Sequence, residues 1–469
     1  MQPPRGSGRR GPLRVAVLDH TAELGGAELA LVRLLEGLDA DRVEPVVVLF
    51  SEGPLARRLR SAGHAVEVVP LGERLGAASR RLTPVGAAKA ALSSVGFLRR
   101  LLTRLRRLDV DLVHTTTLKA DLVGVPVARL LGVPLVWHVH DRIADDYLPR
   151  WTTRLVRALA RRAPRAVVAN SAATATTLPG ARGLTVIHPG LTTDQVTPAP
   201  RCRQPDGPPV VGMVGRLSPT KGQLVLVRAM RRVVDERPDA TARLVGAAAF
   251  GAEAYEREVR EEVERLGLRD HVQLVGFVDD PRAELDRFAV CVHASPTPEP
   301  FGQVVTEAMA WGVPVVATSG GGVDEVVRTG PPGCETGLLV PADDDAALAT
   351  AILEVIEHPA PALARAGRAH ADVRERFAAA AGASAMTAVW EAAATERPPR
   401  RAPARLSRPR VAIAHDYLTQ RGGAERVVLA LHRAFPQAPI HTTLYDPDGT
   451  YPEFRDARVV VSPIDRVVP

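Results

Sequence analysis

Short apolar runs alternate with helical stretches along most of the chain, and this alternation predicts an α/β fold. The first run, 13–18, leads through a loop containing Gly25 and Gly26 into an apolar-periodic helix that ends near Leu38. Later strands of this series are predicted at 46–50, 66–69, 112–114, 135–139, 166–169 and 186–187. Strands separated by helices favour a doubly wound parallel sheet, whose ligands bind at the carboxyl ends of its strands.

A second alternating series begins at Val210 and predicts a second α/β domain. Its strands are expected to start at Val210 and to continue at 242–245, 272–275, 290–293 and 313–318. One alanine-rich helix over 374–394, carrying Phe377 and Trp390, is predicted to close this domain. The polar, proline-rich stretch 197–209 between the two series is predicted to be a hinge.

The end of the chain repeats its beginning. Gly422-Gly423-Ala424-Glu425 matches Gly25-Gly26-Ala27-Glu28, and each motif follows a short apolar run. We therefore divide the chain into a first domain over 1–197, a second over 205–395, a proline- and arginine-rich linker over 396–409, and a partial repeat over 410–469. About 60 residues cannot complete such a domain, so the repeat is either a broken tandem copy or a fragment of a longer protein.

Composition excludes several classes of protein. The chain has 469 residues and 46% hydrophobic content, which suits two or three globular domains, and no apolar run reaches transmembrane length. The start of the chain lacks the apolar core of a secretory signal. Cys202, Cys291 and Cys334 are odd in number and widely spaced, which argues against a disulfide framework or a zinc site. We expect a cytoplasmic protein.

Positive charge is concentrated in the first series. The net charge is +7, and residues 76–165 hold 17 Lys and Arg against 6 Asp and Glu. The segment 97–108 alternates apolar and basic residues, and a second basic helix is predicted over 152–162. Two interpretations stay open: peripheral docking on an anionic membrane surface, or an arginine-rich solvated face over an ordinary core. Nucleic acid is disfavoured, because aromatic residues make up only 4% and no base-stacking motif accompanies the charge.

The densest candidate chemistry is a pair of glutamates, Glu299 and Glu307, on either side of a Pro-Phe-Gly turn. The apolar spacing after this turn predicts a helix that starts near Gly302 and ends near Gly312. Free N–H groups gather at a helix start, and carboxylates can accept hydrogen bonds from vicinal hydroxyls. The plain alternative is a capped surface helix with two solvated glutamates.

A second candidate is Gly215-Arg216-Leu217-Ser218-Pro219-Thr220-Lys221-Gly222, directly after the first strand of the second series. Arg216 and Lys221 can converge on one anion from this turn. The chain contains only three lysines against 57 arginines, so a lysine in this turn is less easily explained as a generic surface cation.

These motifs together closely resemble those of the retaining family 4 glycosyltransferases, which have the GT-B fold. The resemblance spans 13–395 and rests on the glutamate-pair motif (EPFG followed by EAMAxGxPVVAT), the GRLSPTKG turn and the LGGAE loop. It implies an α/β architecture of two Rossmann-like domains facing a cleft, with a nucleotide-sugar donor held mainly by the second.

The resemblance also implies roles for the second-domain residues. Glu307 would hold the ribose hydroxyls of the donor. Glu299 would hold hydroxyls of the donor sugar, helped by the backbone N–H groups of Phe301 and Gly302. The nucleotide base would lie near Phe277 and Val278, just after a predicted strand.

The diphosphate would lie between the two domains. By the same resemblance, Arg216 and Lys221 would neutralise it as it leaves, and Gly25 and Gly26 would let the first-domain loop close on it. His140 follows the predicted strand 135–139 and matches a family histidine that contacts the donor sugar and phosphate. The neighbouring His138 is expected to be structural.

We expect neither a metal ion nor a bound cofactor, because Asp343-Asp344-Asp345 is placed as a helix cap rather than as a metal motif beside a strand. The expected partners are a UDP- or GDP-sugar and a glycan or lipid-linked acceptor, in cell-envelope or exopolysaccharide synthesis. Loops at 72–89 and 141–151 are expected to select the acceptor. Two alternatives remain: a sugar-nucleotide epimerase of the same fold, and a non-catalytic partner in a polysaccharide assembly.

Overall fold

A computed structural model describes residues 11–71, 84–201, 204–248, 252–395 and 411–462, with backbone only for 84–94. The predicted linker 396–409, Cys202 and most of the 72–89 loop lie outside the described residues. The chain divides into two compact units, residues 1–397 and 398–469.

The first unit begins with a seven-stranded, wholly parallel sheet in the order β3-β2-β1-β4-β5-β6-β7. Its strands are β1 (Leu13–Asp19), β2 (Val43–Leu49), β3 (Ala65–Val68), β4 (Leu112–Thr115), β5 (Leu135–Val139), β6 (Ala166–Ala169) and β7 (Leu184–Val186). The helices between them are α1 (Gly26–Glu36), α2 (Pro54–Ser61), α3 (Pro84–Arg107), α4 (Leu118–Leu131), α5 (Arg150–Ala160) and α6 (Ala172–Thr176).

Apolar side chains cover both faces of this sheet. One face carries a cluster that includes Phe97, Leu101 and Trp137, and the other a cluster that includes Leu31 and Leu55. A parallel sheet needs helices on both faces, because its crossover connections place them there. The near-continuous apolar runs of β1, β4 and β5 follow from this double burial.

A second parallel sheet, in the order β10-β9-β8-β11-β12-β13, completes the first unit. Its strands are β8 (Val210–Val214), β9 (Thr241–Val245), β10 (Val272–Gly276), β11 (Val290–His293), β12 (Val315–Thr318) and β13 (Leu338–Val340). The accompanying helices are α7 (Gln223–Glu236), α8 (Glu253–Arg265), α9 (Arg282–Leu285), α10 (Gln303–Ala310), α11 (Val323–Val326), α12 (Asp345–Glu357), α13 (Pro359–Arg376) and α14 (Ala379–Thr395). The prediction of two Rossmann-like α/β domains is therefore confirmed.

Strand order reverses once in each sheet, between β1 and β4 and between β8 and β11. A crevice forms at such a reversal, because the loops on its two sides leave in opposite directions. The loops that follow β1, β8 and β11 carry the Gly-Gly motif, the GRLSPTKG turn and Glu299, respectively. Topology alone thus brings the predicted motifs to the ligand-binding ends of the two sheets.

The predicted single closing helix over 374–394 is wrong. Helix α13 ends at Arg376 and α14 starts at Ala379, because the backbone between them pairs with Leu191: Leu191 N–H donates to Phe377 O at 2.7 Å, and Ala379 N–H donates to Leu191 O at 2.9 Å. Alanine favours helix throughout this stretch, so the sequence shows no local stop.

Helix α14 then packs on the first domain rather than the second. Trp390 is fully buried in the cluster that covers β1, and its indole N–H donates to His114 Nδ1 on β4 at 3.2 Å. The predicted range 205–395 for the second domain therefore includes a helix that packs against the first sheet.

The second unit contains a three-stranded parallel sheet with one helix. Its elements are β14 (Ile413–Leu418), α15 (Gly423–Ala434), β15 (Ile440–Tyr445) and β16 (Val459–Val461). Ile413, Leu418, Leu429 and Phe454 form a small core. Strand, Gly-Gly loop, helix and parallel strand follow in the same order as β1, α1 and β2.

Candidate active site

Lys221 and Glu299 form an ion pair at the carboxyl end of the second sheet. Lys221 Nζ lies 2.5 Å from Glu299 Oε1. The turn after Lys221 requires glycine, because Gly222 has φ of +80° and a β-carbon there would lie 1.9 Å from the carbonyl oxygen of Ala294. This close approach of the β8 and β11 loops places the lysine beside the carboxylate, a contact that neither sequence motif predicted.

The Glu299 carboxylate is ionised in this setting. Burial alone would raise its pKa, but the Lys221 ammonium and His293, whose Nε2 lies 3.6 Å from Oε2, outweigh burial and hold the pKa well below its usual range. The backbone is fixed as well, since Gly322 N–H donates to Glu299 O at 2.8 Å. The result is a fixed, negatively charged acceptor for hydroxyl groups.

Helix α10 begins directly beside this pair, close to the predicted start. Gly302 is its N-cap with φ of +94°, and no side chain caps the helix there. The first N–H groups of a helix lack partners within it and carry partial positive charge. Phe301 is 2% exposed and its ring packs against His188 and Phe377, so of the atoms of Phe301 only the backbone suits the predicted ligand contact.

Glu307 lies one turn further along α10 and is paired across the cleft. Arg33 Nη1 of α1 donates to Glu307 Oε1 at 3.1 Å, and Arg33 Nη2 donates to Gln303 Oε1 at 2.5 Å. The sequence analysis gave no role to Arg33. The available signal was a single cation inside the apolar run 31–35 of α1, where the arginine side chain is only 6% exposed.

The Gly-Gly loop of the first domain touches the start of α10. Gln303 Nε2 donates to Gly26 O at 2.8 Å, and a β-carbon on Gly26 would lie 3.2 Å from that nitrogen. Gly25 is the N-cap of α1, and the carboxylate of Glu28 folds back against it. The two domains therefore meet where the Gly-Gly loop contacts α10, and the diphosphate contact at this loop stays a prediction.

Charge from both domains faces this junction. Burial raises the pKa of Glu28, Asp141 raises it further, and Arg216 acts in the opposite direction from the second domain. The charge of Arg216 thus acts on Glu28 beside the Gly-Gly loop, while Lys221 contacts Glu299. The two cations predicted to share one anion lie on one turn: Lys221 pairs with Glu299, and the charge of Arg216 favours the ionised form of Glu28.

His140 lies where its motif placed it, just after β5. Its ring contacts that of His138 at a tilt of 45° with centroids 4.0 Å apart, and neither ring nitrogen of His140 has a hydrogen-bond partner among the described residues. Burial lowers the pKa of His140 to about 4, so the ring is neutral at neutral pH. A neutral imidazole can donate one hydrogen bond and accept another.

The predicted base-binding residues lie further from the ion pair. Phe277 and Val278 follow β10, the edge strand two positions from β8, and the Phe277 ring is 64% exposed. An exposed aromatic ring at the carboxyl edge suits a stacking role, whereas Val278 packs against the core. Their contact with a base stays a prediction.

Asp344 caps α12, as predicted, since its carboxylate accepts from Ala347 N–H at 2.8 Å. Across the part of the chain that the structure describes, no group of three or more His, Cys, Asp and Glu is arranged to hold a metal ion.

A second junction fixes the Glu299 loop against the first domain. Ser171 Oγ donates to Pro300 O at 2.6 Å, and Glu325 of α11 accepts from the N–H groups of Ala172 and Ala173 at 2.9 and 2.7 Å. The sequence analysis did not anticipate this contact, because the residues on its two sides are more than 120 positions apart.

The fold and this site define a glycosyltransferase of the GT-B type. Residues 24–195 match the model of glycosyltransferase family 4, and residues 208–358 match that of the group 1 glycosyl transferases. The chain belongs to this family of glycosyltransferases, as the motifs implied.

Relatives and solved structures agree. The chain is 31% identical over 432 residues to a D-inositol 3-phosphate glycosyltransferase of Streptomyces scabiei, covering 83% of this chain and 92% of the relative. It is 35% identical over 181 residues to a lipopolysaccharide core biosynthesis mannosyltransferase of Rhizobium leguminosarum, covering 39% of this chain and 50% of that protein. The crystal structure of Anabaena HepE with UDP-glucose superposes with a TM-score of 0.69 at 28% identity, covering 81% of this chain and all of HepE.

Proposed function

We propose that this chain transfers a sugar from a UDP- or GDP-sugar to a glycan or lipid-linked acceptor, with retention of the anomeric configuration and without a metal ion or cofactor. The observation that carries the proposal is the Lys221–Glu299 pair at the uncapped start of α10, opposite the Gly25–Gly26 loop. A cation, free helix N–H groups and a fixed carboxylate suit a diphosphate joined to a sugar.

Each proposed role follows from charge. Breaking the bond between the anomeric carbon and the diphosphate oxygen leaves the electron pair on the diphosphate. Lys221, Arg216 and the backbone N–H groups at Phe301 and Gly302 stabilise that charge more strongly in the transition state than in the donor. The acceptor hydroxyl attacks the same face of the sugar, and the departing phosphate takes its proton. Glu299 and neutral His140 hold sugar hydroxyls and orient the ring.

Glu307 binds the ribose in this proposal, and Phe277 packs on the base. The solved HepE complexes support the donor class, because HepE is described with UDP, UDP-glucose and glucose. The mannosyltransferase relative supports a mannose donor, so GDP-mannose belongs in the test beside UDP-glucose. That relative also favours a role in building cell-envelope polysaccharide.

We also propose that α5 docks on an anionic membrane surface. Trp151 and Leu155 are 51% and 41% exposed on one side of this helix, next to the exposed Arg150 and Arg154, and α5 carries no acidic residue. Exposed tryptophan beside arginine suits the interface of a bilayer. None of the described helices is both long and apolar enough to cross a membrane. Cosedimentation with phosphatidylglycerol vesicles should fall in Trp151→Asp, and unchanged binding would contradict this docking.

Nucleotide release tests the transfer itself. Wild-type protein is incubated with UDP-glucose or GDP-mannose and a lipid-linked acceptor extract, and released UDP or GDP is measured together with the anomeric configuration of the product. We expect release for one donor and a loss of about 100-fold or more in Lys221→Ala, in line with removing one oxyanion-stabilising group. Arg228→Ala is the matched control, since Arg228 pairs with Glu262 on the exposed surface of the same domain.

The alternatives give different results. An epimerase would interconvert the donor sugar without depending on an acceptor, and a non-catalytic partner would release nothing. Inverted configuration in the product would contradict retention while leaving transfer intact.

A further inference from the structure

Arg33 is a buried cation of the first domain that pairs with a carboxylate of the second domain across the cleft. It lies on α1 of the first domain with its side chain 6% exposed, and it reaches Glu307 and Gln303 on α10 of the second domain. Its Nε donates to Leu29 O at 3.2 Å, and Nη1 also approaches Gln195 Oε1 at 3.4 Å. The guanidinium is therefore held by four acceptors from three parts of the chain.

A buried arginine requires a negative partner, because removing the charge from water is costly unless it is paired. Among the described residues, the carboxylate that pairs with Arg33 is Glu307. Their positions are 274 residues apart in sequence, so the pair forms only when the two domains face each other.

The pair leaves room for a ligand on Glu307. A carboxylate has about four lone-pair positions on its two oxygens. Arg33 uses one position on Oε1, and the Glu307 side chain is still 21% exposed. Two vicinal hydroxyls can therefore bind while the arginine stays in place, and the arginine fixes the rotamer that they meet.

We propose that Arg33 is a positioning residue that sets the Glu307 carboxylate for the ribose of the donor, from the opposite domain. This inference rests on the proposed function, in which Glu307 binds that ribose. It makes ribose binding depend on the closed arrangement of α1 and α10, because separating the domains would remove the guanidinium from Glu307. Gln303 adds a second contact between the domains, since it accepts a hydrogen bond from Arg33 and donates one to Gly26 O of the Gly-Gly loop.

Donor affinity and kinetics in Arg33→Gln test the inference. Ribose contacts act on the bound donor and on the transition state alike, so their loss should raise the donor KM with little change in kcat. We expect Kd for UDP-glucose or GDP-mannose, whichever the wild type binds, to rise about tenfold, the loss typical of one hydrogen bond to a charged group. Arg33→Lys should recover part of the affinity, since it restores the charge without the fork.

Three further variants separate positioning from folding. Arg42→Ala is the matched control, because Arg42 follows α1 on the same side of the domain but forms an exposed pair with Glu391 on α14. Gln303→Ala keeps both charges and removes one restraint, so a smaller rise in Kd is expected even if Arg33→Gln folds poorly. Arg33→Gln combined with Glu307→Gln should cost little more than Glu307→Gln alone.

The outcomes distinguish the positioning role of Arg33 from the proposed function on which it rests. If the wild type binds neither nucleotide sugar, the proposed function fails and the inference fails with it. If the wild type binds one, but its Kd is unchanged or tighter in folded Arg33→Gln and in Gln303→Ala, the donor site stands and the positioning role is overturned. Tighter binding would show that Arg33 competes with the ribose.

Discussion

Helices α1 and α15 begin with the same Gly-Gly-Ala-Glu motif, but their surroundings differ. In both, the glutamate at the third helical position folds back toward the N-cap glycine, so that Glu28 lies against Gly25 and Glu425 against Gly422. Leu34 of α1 is buried in the cluster that also contains Met386 and Trp390 of α14, whereas the matching Leu431 of α15 is 42% exposed. The local cap is thus encoded by the motif, and the burial of the helix is not.

The difference extends to the candidate active site. Arg33 of α1 faces Glu307, and the matching position of α15 is the exposed Ala430. Residues 427, 431 and 435 of the second unit, which match the covered face of α1, form an exposed apolar stripe. In the proposed donor site, the Gly-Gly-Ala-Glu loop takes part because α10 of the facing domain contacts both that loop and Arg33 of α1.

The largest expected difference between the two helices is in stability. Leu34→Ala should destabilise the first unit by about 3 kcal/mol, because it leaves a cavity under α14. Leu431→Ala should change stability by about 0.5 kcal/mol or less, as is usual for exposed positions. All four tryptophans lie in the first unit, so their fluorescence during urea unfolding reports on it alone. Hydrogen exchange of peptides from α15 reports on the second unit.

Equal effects at the two leucines would contradict this comparison. A large loss of protection in α15 for Leu431→Ala would mean that another surface covers the stripe in solution. Thr350→Ala, at an exposed position of α12, is a neutral control for the fluorescence measurement.

The two capping glutamates are expected to have smaller effects on stability, with opposite dependence on pH. Burial raises the pKa of Glu28 in the folded protein. The contribution of this residue to stability is therefore fully present below its unfolded pKa and is lost as pH rises through its folded pKa. The backbone N–H of Glu425 itself, and then other hydrogen bonds, lower the pKa of Glu425. Its stabilising ionised form is present above the unfolded pKa and is lost as pH falls through the folded value.

Glutamine variants read out this difference between pH 3 and 8. In the wild type, protection of α1 against hydrogen exchange should fall as pH rises above the ordinary glutamate pKa, and Glu28→Gln should reduce this fall. Protection of α15 should fall as pH drops below that pKa, and Glu425→Gln should reduce that fall. Hydrogen exchange measured peptide by peptide provides both curves from one sample. Curves of the same sign for both helices would show that the two caps lie in equivalent surroundings.

Local signals in the sequence were enough for most strands and for most site loops, but they did not reveal β13, the short edge strand of the second sheet. Apolar runs bounded by glycine located β1, β8 and β12 to within a few residues, because each strand is buried on both faces. The Lys221 and Glu299 loops were assigned correctly to strand ends for the same reason.

The remaining features depend on contacts between distant segments. The break at Phe377 is caused by backbone pairing with Leu191, and the Arg33–Glu307 pair joins positions 274 residues apart. Neither leaves a local mark beyond a buried cation in α1, because alanine-rich sequence permits helix on both sides of the break. The return of α14 to the first domain was missed for the same reason.

The proposed donor site lies in the cleft of the first unit, with Glu307 in its binding surface. Calorimetric titration of UDP-glucose and of GDP-mannose into wild type, Glu307→Ala and Glu425→Ala tests this placement. We expect one donor to bind to the wild type and to Glu425→Ala with a Kd between about 1 μM and 1 mM, and this binding to be lost in folded Glu307→Ala. Equal binding in Glu307→Ala, or loss in Glu425→Ala, would contradict it.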